Sequence, residues 1–384
     1  MNKTVTPPEG FFKPFHQFAR LESASGLLLF FAAAVAFLWA NSPLHGSYSN
    51  FKLILEHPIN EGLMALFFLL MGLEIKREMR EGELASLRKS ILPIAGALGG
   101  MLVPAGIYAL YNHGTPAASG WGIPMATDIA FALGALTLLG RRIPLGLKVF
   151  VVALAIIDDL GAILVIAIFY TQQIHLVPLA LAGACLIALF ILNTAGVRRL
   201  AIYLPVGILL WVFLLRSGIH STLSGVALAL FIPLNSGDSK EPPLQRLERQ
   251  LHPWVSFAIL PLFALVNAGV ALIPETREML FEPSGLGILA GLSLGKPIGI
   301  VFFSWLALRL GFASLPDGVR WNHMLGAGLL GGIGFTMSLF IADLGLPDAR
   351  LLEGAKLSVL CASLISGLLG FAYLWMAGRK PKSI

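Results

Sequence analysis

Charge is what this sequence has least of. Lysine, arginine, aspartate and glutamate make up 12% of its 384 residues, against about 25% in a soluble chain, so the water-facing surface of an ordinary globular domain is excluded. Cysteine is almost as scarce. Cys185 and Cys361 stand singly in apolar runs with neither CxxC nor metal-ligand spacing, and read as small core residues. Motifs for nucleotides, zinc or a serine nucleophile are absent as well, so no resident cofactor is expected and the chain does not read as an enzyme.

What fills the chain instead is apolar. Hydrophobic residues reach 57%, against about 45 to 50% in soluble proteins. Runs of the length a bilayer needs, about 20 residues, fall near 23–40, 59–77, 91–111, 121–139, 147–170, 175–192, 200–215, 219–233, 253–273, 285–308, 323–345 and 355–377. The expected fold is therefore an all-α, multi-pass integral membrane protein of about twelve helices, one transporter domain over 1–384 in contact with membrane lipid. The first run is longer than a signal peptide's apolar region and is expected to be retained.

The net charge of +6 and pI of 9.4 could suggest nucleic acid, but the placement of the basic residues excludes that reading. Lys76, Arg77, Arg80, Arg88, Lys89, Arg141, Arg142, Arg198, Arg199, Arg246 and Arg249 share the side of the N-terminus. Lys52, Arg216, Arg277, Arg350 and Lys356 fall opposite. The positive-inside rule then predicts cytoplasmic termini, as an even number of spans also requires.

The connections are short. The longest, 235–254, is polar, and its "LQRLERQL" part predicts a short helix against the membrane on the cytoplasmic side. The outer loop 42–58 alternates around a Gly-Ser pair, which predicts a small hairpin.

Two spans are poorly built as helices. One holds Gly122, Pro124, Thr127 and Asp128. The other holds Gly326, Gly328, Gly331, Gly332 and Gly334, followed by Thr336 and Ser338. Proline removes a backbone donor and glycine weakens a helix, so both spans should be interrupted. Each is the middle member of a group of three, 91–170 and 285–377, and the groups start on opposite sides of the membrane. That is an inverted-topology repeat, the arrangement in which secondary transporters build a midplane ion site.

Four ionisable residues lie at that depth: Asp158 and Asp159 in "ALAIIDDLGAILV", Lys296 in "LSLGKPIGI", and Asp128 at the break of the fourth span. Buried charge is costly without compensation and marks ion or proton pathways. Neighbouring helical residues point about 100° apart, so one aspartate can face Lys296 while the other faces the region around Asp128. Asp128 and Lys296 also have a purely structural use, offsetting the half-helix charges at the breaks.

"ATDIAFALG", "ALAIIDDLGAI", "GKPIGI", "GIGFTMS", "GLEIKRE" and "LHPW", each in its own context, together resemble the NhaA-type sodium/proton antiporters over about residues 10–377. That family is itself among the examples from which the inverted repeat is known. The resemblance implies crossed, interrupted helices at spans four and eleven, a bacterial cytoplasmic (inner) membrane location, and a homodimer joined partly by the outer hairpin. It implies Asp159 as the cation ligand, Asp158 as the partner of Lys296, and Thr127 with Asp128 at the crossing. It also assigns pH sensing to Glu74, Arg77, Glu78, Glu248 and His252, which otherwise read as a solvated charged face. Arg249 and Gln245 stand where the family pattern has histidine and lysine, departures that bear on the pH of activation.

The expected activity is electrogenic, pH-regulated exchange of sodium or lithium for protons, with cation and proton competing for Asp158 and Asp159. A sodium-coupled symporter of related fold is the nearer alternative. An intramembrane aspartyl protease, using Asp128 with one of the pair, is the remote one.

Overall fold

The computed structural model describes residues 13–171, 174–235 and 241–378. The two termini, and with them the expectation that both are cytoplasmic, lie outside the described residues. Every regular element within them is helical: α1 (Lys13–Ala40), α2 (His45–His57), α3 (Met64–Glu81), α4 (Leu87–Asn112), α5 (Ile129–Leu138), α6 (Leu145–Phe169), α7 (Leu176–Thr194), α8 (Leu200–Ser217), α9 (Leu223–Phe231), α10 (Pro243–Trp254), α11 (Leu260–Asn267), α12 (Pro274–Glu278), α13 (Pro283–Ala290), α14 (Lys296–Arg309), α15 (Trp321–Gly331), α16 (Phe335–Gly345) and α17 (Ala349–Ala377).

Among the described residues nine helical runs are long and apolar enough to cross a membrane, or ten when α15 and α16, bent by 44° at their junction, count as one. In hydrocarbon no water can satisfy a broken backbone, so helices dominate and irregular backbone survives only where protein surrounds it. The interruption after the 3-10 segment Pro116–Met125 and the one between α15 and α16 obey that rule, with Met125, Ala126, Thr127, Ile333 and Phe335 all buried.

α4 and α14 pack against each other at Gly99 and Gly299. A Cβ added to either glycine would fall on the other's carbonyl oxygen, so only glycine permits this approach.

Three expectations change. The loop 42–58 forms no hairpin: α2 runs through it and joins α3 by a wide turn at Pro58–Leu63. Tyr48, Phe51 and Leu55 recur at helical spacing, the rings of Tyr48 and Phe51 pack on Trp39, and Lys52 pairs with Glu56 one turn on. The alternation seen in the sequence fits this period as well as a strand's.

The helix at 243–254 does form, but not as a separate piece. It continues through a wide turn at Val255–Ile259 into α11, and Leu244 and Leu247 are buried within the protein. Lys356, counted on the outer side at the first edge of the run 355–377, is wholly buried in α17. That helix starts earlier than hydropathy alone suggests, because Asp348 caps it by accepting from the Leu351 N–H at 2.9 Å.

Candidate functional site

The two interruptions meet each other. The Asp128 N–H donates to the Ile333 carbonyl at 2.6 Å, and the Thr127 hydroxyl lies 2.9 Å from the Gly331 carbonyl. Unwinding leaves α5 and α16 with unsatisfied N–H groups at their starts, and one carboxylate serves both. Asp128 accepts from the Phe131 N–H at 3.2 Å and from the Thr336 N–H and hydroxyl at 3.1 and 2.5 Å. The Ser338 hydroxyl donates to the Ile123 carbonyl at 2.7 Å, tying α16 to the segment that contains Pro124. Gly332 allows the junction to approach closely, since a Cβ there would strike the Leu292 carbonyl.

α6 passes beside this junction as an unbroken helix and presents both aspartates inward. Asp158 Oδ2 takes the Lys296 ammonium, which also donates to the Thr127 hydroxyl at 2.8 Å. That hydroxyl has Asp158 Oδ2 at 2.7 Å and the Gly331 carbonyl at 2.9 Å as acceptors for its one proton. Helical spacing alone left open which aspartate faces Lys296, the resemblance implied Asp158, and the contact is with Asp158. Each component thereby has a partner of opposite charge or a donor, the condition for keeping an ion pair away from water.

Asp159 is placed differently. It is buried, and the Oδ1 atoms of Asp159 and Asp158 find no hydrogen-bond donor among the described residues. The carboxylates of Asp158, Asp128 and Glu74 and the ammonium of Lys296 act on it electrostatically. A buried carboxylate oxygen facing further negative charge calls for a cation or a proton.

Asp128 is not paired with an aspartate. Its oxygens are taken by the helix starts, so the proton-sharing pair of an aspartyl protease is not formed there. No group of three or more His, Cys, Asp or Glu side chains placed to hold a metal ion occurs among the described residues.

At the far end of α3 the predicted charged cluster comes together. Arg77 Nε reaches both oxygens of Glu248 at 3.0 Å, and its Nη1 reaches Glu78 at 2.7 Å. Glu74 lies within the electrostatic reach of Arg77, and His252 within that of Glu248. Gln245 donates to Glu81 at 2.9 Å, and Arg249 pairs with Glu241 at 2.8 Å. Lys76 caps α9 by donating to the carbonyls of Ala229, Leu230 and Ile232.

A second polar cluster, at the α2 end, is absent from the reading of the sequence. Lys356 reaches Asn267 Oδ1 at 3.2 Å, Glu56 at 3.5 Å and Asp343 at 3.9 Å. Asn60 donates to Asp343 at 3.0 Å and pairs with Asn267. Asp343 and Lys356 lay in or beside apolar runs, the signal that singled out Asp158 and Asp159, and could have been found by it.

The sequence pattern of the family described as Na+/H+ antiporter 1 matches residues 16–374. Relatives carrying the name Na(+)/H(+) antiporter NhaA include those of Rhodospirillum rubrum (51% identical, covering 95% of this chain and 97% of that protein), Pseudomonas putida (49%, 96% and 98%) and Escherichia coli (48%, 94% and 98%). The fold is similar to the solved structure of the sodium proton antiporter MjNhaP1 from Methanocaldococcus jannaschii. The TM-score is 0.54 over 92% of this chain and 91% of that one, at 16% identity.

Proposed function

This chain belongs to the Na+/H+ antiporter 1 family, and from that membership we propose that it exchanges sodium or lithium for protons across a bacterial cytoplasmic membrane, using Asp159 with Asp158 as the shared site. The observation that carries the reading is the inequality within the aspartate pair. The Oδ1 atoms of both are buried without a donor among the described residues, but Asp158 is held through its Oδ2 by Lys296 and Thr127, and neither of those groups bonds to Asp159. A carboxylate so placed takes either a hard cation or a proton, and each occupant displaces the other. That competition is exchange. Unwound backbone around Thr127 and Gly331 offers further oxygens of the kind that coordinate sodium in interrupted helices.

Exchange of more protons than sodium ions in each cycle moves charge, and the membrane potential then contributes about 2.3 kcal/mol per charge per 100 mV to sodium export. The cluster of Glu74, Arg77, Glu78, Glu248 and His252 is assigned to pH regulation, because histidine changes charge near neutral pH. The basic-residue bias places the Arg77 end in the cytoplasm, with both termini on that side. With α9 and the apolar part of α1 counted as short spans, the fold reads as twelve, in line with that orientation. The functional unit is assigned as a homodimer.

Proton flux in everted membrane vesicles, with sodium, lithium and potassium added in turn across pH, tests the reading. Sodium and lithium should release protons from the lumen without any organic solute. Flux that requires such a solute, or no cation-dependent flux at any pH, would overturn it.

A further inference from the structure

The cluster around Lys356 joins two sets of helices. One set carries the ion site: α4 to α6 with the 3-10 segment between, and α13 to α17. The other set is held together by its own polar bonds. The Tyr48 hydroxyl donates to the carbonyl of Val266 at 3.0 Å, linking α2 to α11. Trp211 Nε1 and the Ser221 hydroxyl both reach the Glu61 carbonyl, linking the turn before α3 to α8 and to the start of α9. Asn60 and Asn267 pair within this set.

At the α2 end the polar contacts run from one set to the other. Lys356 on α17 meets Glu56 and Asn267, Asp343 on α16 meets Asn60, and Lys52 on α2 meets Glu353 on α17 at 2.8 Å. At the opposite end the pairs of Arg77 with Glu248 and Glu78, the bond of Gln245 to Glu81 and the contacts of Lys76 with α9 all lie inside the second set.

A polar seam differs from an apolar one in how it opens. Parting apolar surfaces exposes hydrocarbon to water, a loss in proportion to area. Parting hydrogen-bonded groups trades their bonds for bonds to water, so the net change is small. Lys356 is wholly buried while the seam is shut, and a buried ammonium is tolerated only while its partners stay or water arrives. The seam therefore favours two arrangements, fully closed or fully hydrated.

Resting on the antiport reading, we propose that Lys356 and Asp343, with Glu56, Asn60 and Asn267 opposite them, form a clasp that shuts the α2 face. In each cycle, exposure of Asp159 toward that face requires Lys356 to leave Glu56 and Asn267, and Asp343 to leave Asn60. Lys356 is thus a positioning residue for the exchange, remote from the ion.

The test uses the full chain with Cys185 and Cys361 replaced by alanine and a single reporter, Ala264→Cys, buried on α11 one turn below Asn267. A membrane-impermeant maleimide is applied to the α2 face. Lys356→Glu, which sets a carboxylate against Glu56 and Asp343, should raise the labelling rate about tenfold, as expected for an open state made correspondingly more populated. A rate equal to or below that of the parent would overturn the clasp. A second variant, Asn60→Cys with Asp343→Cys, is bridged by a short bifunctional thiol reagent. Bridging should stop sodium-driven proton flux, and a bridged protein transporting at the unbridged rate would also overturn it. Labelling needs no ion flux. Absence of flux in the unsubstituted protein would therefore count against the antiport reading alone and leave labelling to judge the clasp.

Discussion

Lys296 and Asp158 form an ion pair from which solvent is wholly withdrawn, with neither side chain exposed. Such a pair is sensitive to loss of one member, because the survivor is left charged and buried. Asp158→Asn or Lys296→Ala alone should each lower stability by about 3 to 5 kcal/mol. The double variant should regain part of that loss, since no uncompensated charge remains. Thermal melting of the purified proteins decides, and strictly additive losses would show the residues to be independent.

Asp159 should behave in the opposite way. Among the described residues nothing donates to its Oδ1, so Asp159→Asn removes a buried charge and is expected to leave the melting temperature equal or higher. Sodium-driven proton release should vanish at every pH. Retained exchange in this variant would move the ion site elsewhere.

Asp128 should be structural first. Its carboxylate satisfies the starts of both α5 and α16, and loss of a cap costs about 1 kcal/mol each. Asp128→Ala should therefore destabilise by about 2 kcal/mol. Asp128→Asn keeps an acceptor oxygen and should lose distinctly less. Equal melting temperatures for the two variants would refute the capping role.

At Gly99 and Gly299 the helices leave no room for a methyl group. Gly99→Ala should part α4 from α14 and cost about 1 to 3 kcal/mol. Wild-type stability by chemical denaturation would mean that the backbone contact is looser than described.

Charge at the Arg77 end should set when transport turns on. With Glu248 bound to Arg77 through both oxygens and His252 one turn further along α10, Glu248→Gln and His252→Ala should each shift the pH profile of sodium-driven flux while leaving the maximal rate nearly intact. Superimposable profiles would reduce the cluster to a structural one.

Much of this was legible because membrane interiors tolerate so few exceptions. Asp158 and Asp159 interrupt an aliphatic run, and Pro124 and Gly331 to Gly334 interrupt helical sequence; each departure marks a place where local chemistry overrides hydropathy. The stretch 42–58 reads as a hairpin because Phe51, Leu53 and Leu55 alternate as in a strand, while Tyr48, Phe51 and Leu55 keep the helical spacing that the fold uses. Lys356 stands at the first edge of the run 355–377, and hydropathy does not register the capped start at Asp348 that carries α17 beyond that edge. The bond between Asn60 and Asp343 spans 283 residues, and a partnership of that range is written in no local pattern.

The run from His45 to Glu81 is helical throughout its 37 residues. At 1.5 Å per residue it rises about 55 Å, well beyond a hydrocarbon core of about 30 Å. It carries Lys52 and Glu56 toward its first end, Asn60 nearer its middle, and Lys76 and Arg77 toward its last end. Lys52 and Arg77 therefore stand on one continuous helical backbone, so the pair of Lys52 with Glu353 and the grip of Arg77 on Glu248 are carried by a single element.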